Sequence, residues 1–208
     1  MNFFIAEEKN IDDIVEFHKK NFDTYFLTNL GSGILKKYYL QFIKDSECDF
    51  VICVNDGGLV KGIALFIDDY DNQIKKFLKK NFFALGFTVT YKFIINSKIR
   101  NDLTKKIANL FRSGDNSELR KKNYDYKNTL LSLATDNSCR GQGLAPKMLA
   151  LGEEKLLDRN VKGYYLSVLN NNDGAIGFYK KNNFVYSHSD GQLEYFYKDL
   201  GVRYEQNN

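Results

Sequence analysis

Proline is nearly missing from this 208-residue chain: its single copy, Pro146, stands in a ten-residue stretch, CRGQGLAPKM, beside two glycines and an arginine. That scarcity excludes a proline-rich linker or polyproline segment, which needs many residues held near one φ. Tryptophan is absent, so the large aromatic volume of a core falls to 14 Tyr and 17 Phe. Three cysteines, Cys48, Cys53 and Cys139, are odd in number and lack CxxC spacing, which argues against a disulfide framework and a zinc site. They read as reduced thiols of a cytoplasmic protein, with no metal expected. Neither sign of charge dominates, since 30 basic and 26 acidic residues leave +4. Such a balance fits a phosphorylated small molecule and gives no nucleic-acid signal.

Long apolar runs are also lacking. The longest, Phe82 to Ile95, has 14 residues and contains Lys92, short of the roughly 18 to 20 needed to cross a bilayer. No integral membrane association is expected. The amino terminus MNFFIAEEKN has neither the basic region nor the apolar stretch of a signal peptide. What is present, 43% hydrophobic and 27% charged residues, describes a soluble globular protein. One domain spanning 1–208 is predicted, burying roughly 70% of its unfolded surface; a homodimer is left open.

Hydrophobic periodicity orders the elements. Asn2 to Ala6 reads as a strand, and Ile11 to Asn21 as a helix with Ile11, Ile14, Val15 and His18 near one face. Gly31 to Lys44 reads as a second helix with an aromatic stripe. Asp49 to Val54 and Leu59 to Ile67 are rich in β-branched and aromatic residues and flank NDGG, a hairpin turn sequence. Asp71 to Lys127 is predicted as a helical insertion, with patterns over Asn72 to Leu85 and Ser97 to Arg112 and a polar stretch from Ser113 to Asn128. Its basic clusters, Lys75 to Lys80 and Arg120 to Lys122, read as solvated faces. Thr129 to Thr135 is an apolar strand, Leu144 to Arg159 a helix, Gly163 to Leu169 a strand and Gly174 to Asn182 a short helix. Phe184 to His188 and Leu193 to Lys198 close as a strand pair, and EQNN reads as a loose tail. Strand, turn, helix, strand makes a βαβ unit, which places Thr129 to Thr135 and Gly163 to Leu169 in one sheet.

The turn inside that unit carries the chemistry. A helix start leaves its first amides without partners and holds about half a positive charge, so it attracts anions. Gly141 and Gly143 let backbone amides approach a phosphate, and Pro146 falls in the first turn, where a missing N–H is tolerated. The expected donors are the amides of Gly141, Gln142, Gly143, Leu144 and Ala145. The pattern is neither a dinucleotide GxGxxG nor a P-loop, since Ala145 and Pro146 replace the third glycine and no Lys-Ser/Thr pair follows.

Residues 133 to 145, Leu-Ala-Thr-Asp-Asn-Ser-Cys-Arg-Gly-Gln-Gly-Leu-Ala, resemble motif A of the GCN5-related N-acetyltransferases (GNAT), Arg/Gln-x-x-Gly-x-Gly/Ala after a strand. Asn172-Asp-Gly-Ala-Ile-Gly-Phe-Tyr179-Lys-Lys-Asn-Asn-Phe184 resembles motif B, Asn-x-x-Ala-x-x-Phe-Tyr-x-x-x-Gly-Phe, with Asn183 in place of the glycine. The resemblance implies the acyl-CoA N-acyltransferase fold, an α/β (α+β) architecture with a mixed, mostly antiparallel sheet of about seven strands flanked by helices. It implies acetyl-CoA as cosubstrate, its pyrophosphate on Arg140 to Ala145 and its pantetheine paired with the backbone of Leu133, Ala134 and Thr135. Asn172 would bond the pantetheine and Lys181 or Lys147 the 3′-phosphate. Tyr179, lying beside the cofactor, would protonate the thiolate that leaves when an acceptor amine attacks the thioester.

A small-molecule amine is the expected acceptor; a protein or peptide amine, or a CoA-binding sensor without turnover, are the alternatives. No base is assigned. The strand before the turn offers Thr129 and Ser132 where many relatives place a glutamate, and Asp68, Asp69 and Asp136 read as solvated strand-end acids. His18 and His188 read as packing or surface residues rather than catalysts, without local partners.

Overall fold

The hairpin at Asn55–Gly58 closes as its sequence predicts, with Gly58 at φ +79°, and around it a computed structural model describes residues 1–23, 25–86 and 125–201. The elements are β1 (Asn2–Ile5), α1 (Ile11–Asn21), α2 (Phe26–Leu30), α3 (Ser32–Ile43), β2 (Asp49–Val54), β3 (Val60–Ile67) and α4 (Tyr70–Lys80). They continue with β4 (Thr129–Thr135), α5 (Leu144–Asp158), β5 (Gly163–Leu169), α6 (Asp173–Lys181), β6 (Val185–Ser189) and β7 (Leu193–Asp199). The seven strands form one sheet in the order β1-β2-β3-β4-β5-β7-β6. Only the β4–β5 pair is parallel, as the crossover through α5 demands. The helix at Ser97–Arg112, the cluster at Arg120–Lys122 and the tail EQNN fall outside the described residues.

Helices cover both faces of the sheet. On one, Ile14, Leu35, Tyr39 and Phe42 of α1 and α3 pack with Ile52, Ile63, Leu65 and Ile67. On the other, Leu144, Met148, Leu149 and Leu156 of α5 pack with Val51, Ala64, Phe66, Leu166 and Phe196. This two-sided cover explains why DFVICV and VKGIALFI are near-continuous apolar runs rather than alternating ones. α5 lies close because Gly152 has no β-carbon: one built there would stand 2.0 Å from Phe66 Cε2. α5 is therefore seated directly on β3.

One helix was not anticipated. The segment before Gly31 coils into α2, too short to show a periodicity, and Gly31 at φ +93° separates it from α3. A directed hydrogen-bond chain holds this corner. Thr28 Oγ1 donates to Phe22 O, so His18 Nε2, 3.0 Å from that oxygen, carries the proton. His18 Nδ1 then accepts from Tyr39 Oη at 2.6 Å. Contrary to the expectation of an unpartnered packing residue, His18 is bonded at both nitrogens, and burial lowers its pKa to about 4. His188 lies flat against Tyr195, ring centroids 4.4 Å apart, with Nδ1 3.0 Å from Ser187 Oγ.

Candidate active site

β4 is the strand on which the site is built. It pairs with β3 from Gly62–Thr135 to Ile67–Thr129, but with β5 only at Thr129–Tyr165. At that junction Tyr165 N donates to Asn128 O at 3.0 Å, and Thr129 Oγ1 donates to Tyr165 O at 2.9 Å. Next to it the register slips: Leu65 pairs with Ser132 and Phe66 with Leu130, leaving Leu131 as an extra residue. A bulge of this kind bends its strand and sharpens the twist. β4 and β5 accordingly part beyond the junction, and Leu133, Ala134 and Thr135, all half-buried, border the resulting cleft.

The turn after β4 is a series of short hydrogen-bonded steps. Asp136 caps a 3₁₀ turn, Asn137–Cys139, by accepting from Ser138 N at 3.0 Å. Arg140 follows in an extended conformation. Gly141 and Gly143 both take left-handed angles, φ +76° and +74°, and Gly143 caps α5. No protein atom lies within 4 Å of where a β-carbon would stand at either glycine, so φ, not crowding, requires glycine there. Arg140, Gly141, Gln142 and Gly143 are exposed, while Leu144 is buried and anchors the turn.

The donor set departs from expectation at one position. Gln142 N donates to Cys139 O at 3.3 Å and its side chain donates to Ser138 O at 3.1 Å, so Gln142 braces the loop from within. Among the described residues, the amides of Gly141, Gly143, Leu144 and Ala145 have no protein acceptor. These N–H groups stand at the positive end of a 15-residue helix, an end that suits an anion.

α6 supplies the other wall. Asn172 caps it, its Oδ1 accepting from Ala175 N at 3.2 Å, which leaves the side-chain amide N–H groups for another acceptor. Asn183, at φ +65°, adopts the left-handed angle that its place in the motif predicts. The Tyr179 ring is 8% exposed and meets Phe184 and Phe178 edge-on at 5.2 and 5.5 Å. Its hydroxyl has no hydrogen-bond partner among the described residues, yet it is not one of the fully enclosed unpartnered atoms, so the oxygen reaches solvent. Burial raises its pKa to about 12, keeping it a proton-bearing donor throughout the neutral range. Lys181 is exposed, and the Lys147 ammonium stands 5.7 Å over the Phe3 ring.

The strand-end acids are not all solvated. Asp136 is 3% exposed and takes hydrogen bonds from Lys20 and Ser138, which hold its pKa far below the usual carboxylate range. It is thus a poor proton acceptor. Asp69 caps α4 by accepting from Asn72 N at 3.1 Å. Asp68 is half-buried at the end of β3. Sequence reasoning missed Lys20 and Lys61, which meet Asp136 from distant positions; only the fold brings 20, 61 and 136 together.

Residues 117–184 match the model of the family described as "Acetyltransferase (GNAT) family", a span that includes the turn, Asn172 and Tyr179. Over that span the chain is similar to the GNAT acetyltransferase family. Solved structures share this GNAT fold over nearly the whole chain. PaiA N-acetyltransferase from Thermoplasma acidophilum, in complex with coenzyme A, is similar at 13% identity and TM-score 0.59, covering 96% of this chain and 99% of its own. An acetyltransferase of the GNAT family from Staphylococcus aureus Mu50 is similar at 13% identity and TM-score 0.58, covering 96% and 98%. The ribosomal-protein-S18-alanine N-acetyltransferase of Escherichia coli is similar at 12% identity and TM-score 0.56, covering 100% and 98%. No curated protein matches the sequence significantly. Among the described residues, the chain has no cluster of three or more His, Cys, Asp or Glu that could hold a metal, and no helix long and apolar enough to cross a membrane.

Proposed function

We propose that the chain transfers the acetyl group of acetyl-CoA to a primary amine of a small molecule by direct attack. The observation that carries this reading is the exposed, left-handed Gly141–Gly143 turn, whose two glycine amides have no protein acceptor among the described residues, at the head of α5 beside the cleft between β4 and β5. The diphosphate of acetyl-CoA is the charge complement of that turn. In this reading the open edge of Leu133 to Thr135 pairs with the pantetheine amides as an added strand would, and Asn172 donates to the same arm from across the cleft.

Tyr179 donates to the sulfur as the thioester opens. With the tyrosine at about 12 and a thiol near 8.5, the proton stays on the tyrosine in the resting environment. Its contribution is therefore a hydrogen bond to the forming thiolate rather than full proton delivery. Holding amine and thioester in line supplies more, about 7 to 11 kcal/mol, and the α5 turn and the cleft fix the thioester end. The partly exposed hydroxyl supports turnover over a binding-only sensor, which has no use for a donor there.

Structures of both a PaiA N-acetyltransferase and a ribosomal-protein-S18-alanine N-acetyltransferase share this fold at similar scores, so the fold does not choose the acceptor. Thiol release from acetyl-CoA with a panel of polyamines, amino sugars and peptides does. Turnover of small amines is the expected result; turnover of peptides alone overturns the small-molecule assignment, and coenzyme A binding without any turnover overturns the enzymatic one.

A further inference from the structure

Asp136 is a buried carboxylate four residues before the arginine of an anion-binding turn, a location where a negative charge opposes the ligand. Two lysines neutralise it: Lys20 Nζ lies 2.7 Å from Oδ2 and Lys61 Nζ 3.7 Å from the same oxygen. The second oxygen accepts from Ser138 N at 3.0 Å and Ser138 Oγ at 2.8 Å. The backbone is fixed as well. Asp136 N donates to Lys61 O at 2.8 Å and Cys139 N donates to Asp136 O at 2.9 Å. One residue thus joins α1, β3 and the first step of the turn, and each later step leans on the one before: Arg140 N on Asn137 O, Gln142 N on Cys139 O.

We propose that Asp136 is a positioning residue that presets the diphosphate-binding turn, its carboxylate bridging Lys20 on α1 and Lys61 on β3 to the Ser138 amide so that the Gly141 and Gly143 to Ala145 N–H groups converge before the ligand arrives. The site keeps a net positive charge, because two ammonium groups answer one carboxylate. Lys20 is otherwise solvent-facing, with 66% of its side chain exposed; its ion pair links the end of α1 to the turn across 116 positions of sequence. Asp136 touches no reacting atom. Its loss therefore weakens acetyl-CoA binding while leaving the bound complex as reactive as before.

The inference rests on the acetyl-CoA reading, and the experiment separates the two. Coenzyme A is titrated calorimetrically into the full-length wild type and into Asp136→Ala and Asp136→Asn, and steady-state constants are measured for both substrates. Loss of the cap and its charge-assisted bonds raises Kd and the acetyl-CoA KM about tenfold in Asp136→Ala, with kcat and the acceptor KM within about twofold of wild type. Asp136→Asn keeps an acceptor for Ser138 and recovers part of the loss, to about threefold. A purely structural role would lower kcat and raise both KM values together, and that result overturns the proposal. Unchanged coenzyme A affinity in a folded alanine variant overturns it too, whereas no heat with the wild type overturns the acetyl-CoA reading itself. Should the alanine variant fail to fold, the asparagine variant decides: a threefold weakening supports the proposal and an unchanged Kd overturns it.

Discussion

Replacing Tyr179 by phenylalanine removes one oxygen from a ring that otherwise stays packed on Phe184 and Phe196. Because that oxygen bonds to nothing within the described residues and is not sealed from solvent, the fold loses no internal hydrogen bond, and stability should change by less than about 0.5 kcal/mol. The acetyl-CoA Kd should hold within about twofold, since the apolar wall remains. Turnover behaves differently. A hydrogen bond to a group gaining charge contributes roughly 1.5 to 3 kcal/mol, which at 1.36 kcal/mol per decade predicts a fall in kcat of about 10- to 150-fold. The pH profile adds a second readout. A tyrosine at about 12 stays protonated through pH 10, so the wild type should show no descending basic limb assignable to it in that range. The assay is thiol release from acetyl-CoA at saturating acceptor, paired with calorimetry for the Kd. A variant that turns over within threefold of wild type refutes the donor role, and one that loses coenzyme A affinity tenfold with unchanged kcat shows Tyr179 to be a wall and nothing more.

The turn, the buried histidine and the α5–sheet contact each give a further test. Gly143→Ala should cost about 1 to 2 kcal/mol of stability for a β-carbon at φ +74°, whereas Gly143→Glu should abolish coenzyme A binding by adding bulk and negative charge at the nest; calorimetry showing heat for the glutamate variant removes the turn from the site. His18 has a folded-state pKa of about 4 against 6.5 unfolded, so the unfolded chain binds the extra proton. Its contribution is therefore fully present above pH 6.5 and lost as pH falls toward 4, by about 3 kcal/mol in all. Denaturant titrations at pH 7, 6 and 5 check this, and a flat stability across that window contradicts the buried neutral imidazole. Gly152→Ala forces a β-carbon against Phe66; an overpacking cost of about 1 to 3 kcal/mol predicts a melting temperature lowered by roughly 2 to 12 °C, read by calorimetry.

Local chemistry in the chain was readable wherever the backbone itself does the work. Gly141, Gly143 and Asn183 stand at left-handed angles, and each of these angles narrows the choice of residue enough to leave a mark in the sequence. The strand bounds Thr129–Thr135 and Gly163–Leu169 and the helix Ile11–Asn21 coincide with the hydrophobic pattern, because both faces of the sheet are covered and the apolar runs are long. Helix α2 was not readable, since five residues carry less than two turns of periodicity, and the partners of its Thr28, His18 and through it Tyr39, lie elsewhere in the chain. Asp136 was misread for the same reason. A lone Asp at a strand end looks solvated, and its burial depends on Lys20 and Lys61, which arrive through tertiary contacts that no local pattern announces.

The division of labour on β4 bears on where the acceptor's proton goes. An amine near pKa 10 must lose a proton before it attacks, and the strand that borders the cleft provides no carboxylate for it. Thr129 spends its hydroxyl on Tyr165 O at the strand junction, Ser132 is no base at neutral pH, and Asp136 is locked between two ammonium groups and an amide. Chemistry on this scaffold therefore leans on positioning. Rigid placement of the thioester raises the effective concentration of whatever free amine is present, and about 7 to 11 kcal/mol is available from that source alone. The structural investment agrees with this weighting. The residues that order the turn, namely Asp136, Ser138 and Gln142, are held by internal hydrogen bonds, and α5 packs closely on the sheet at Gly152.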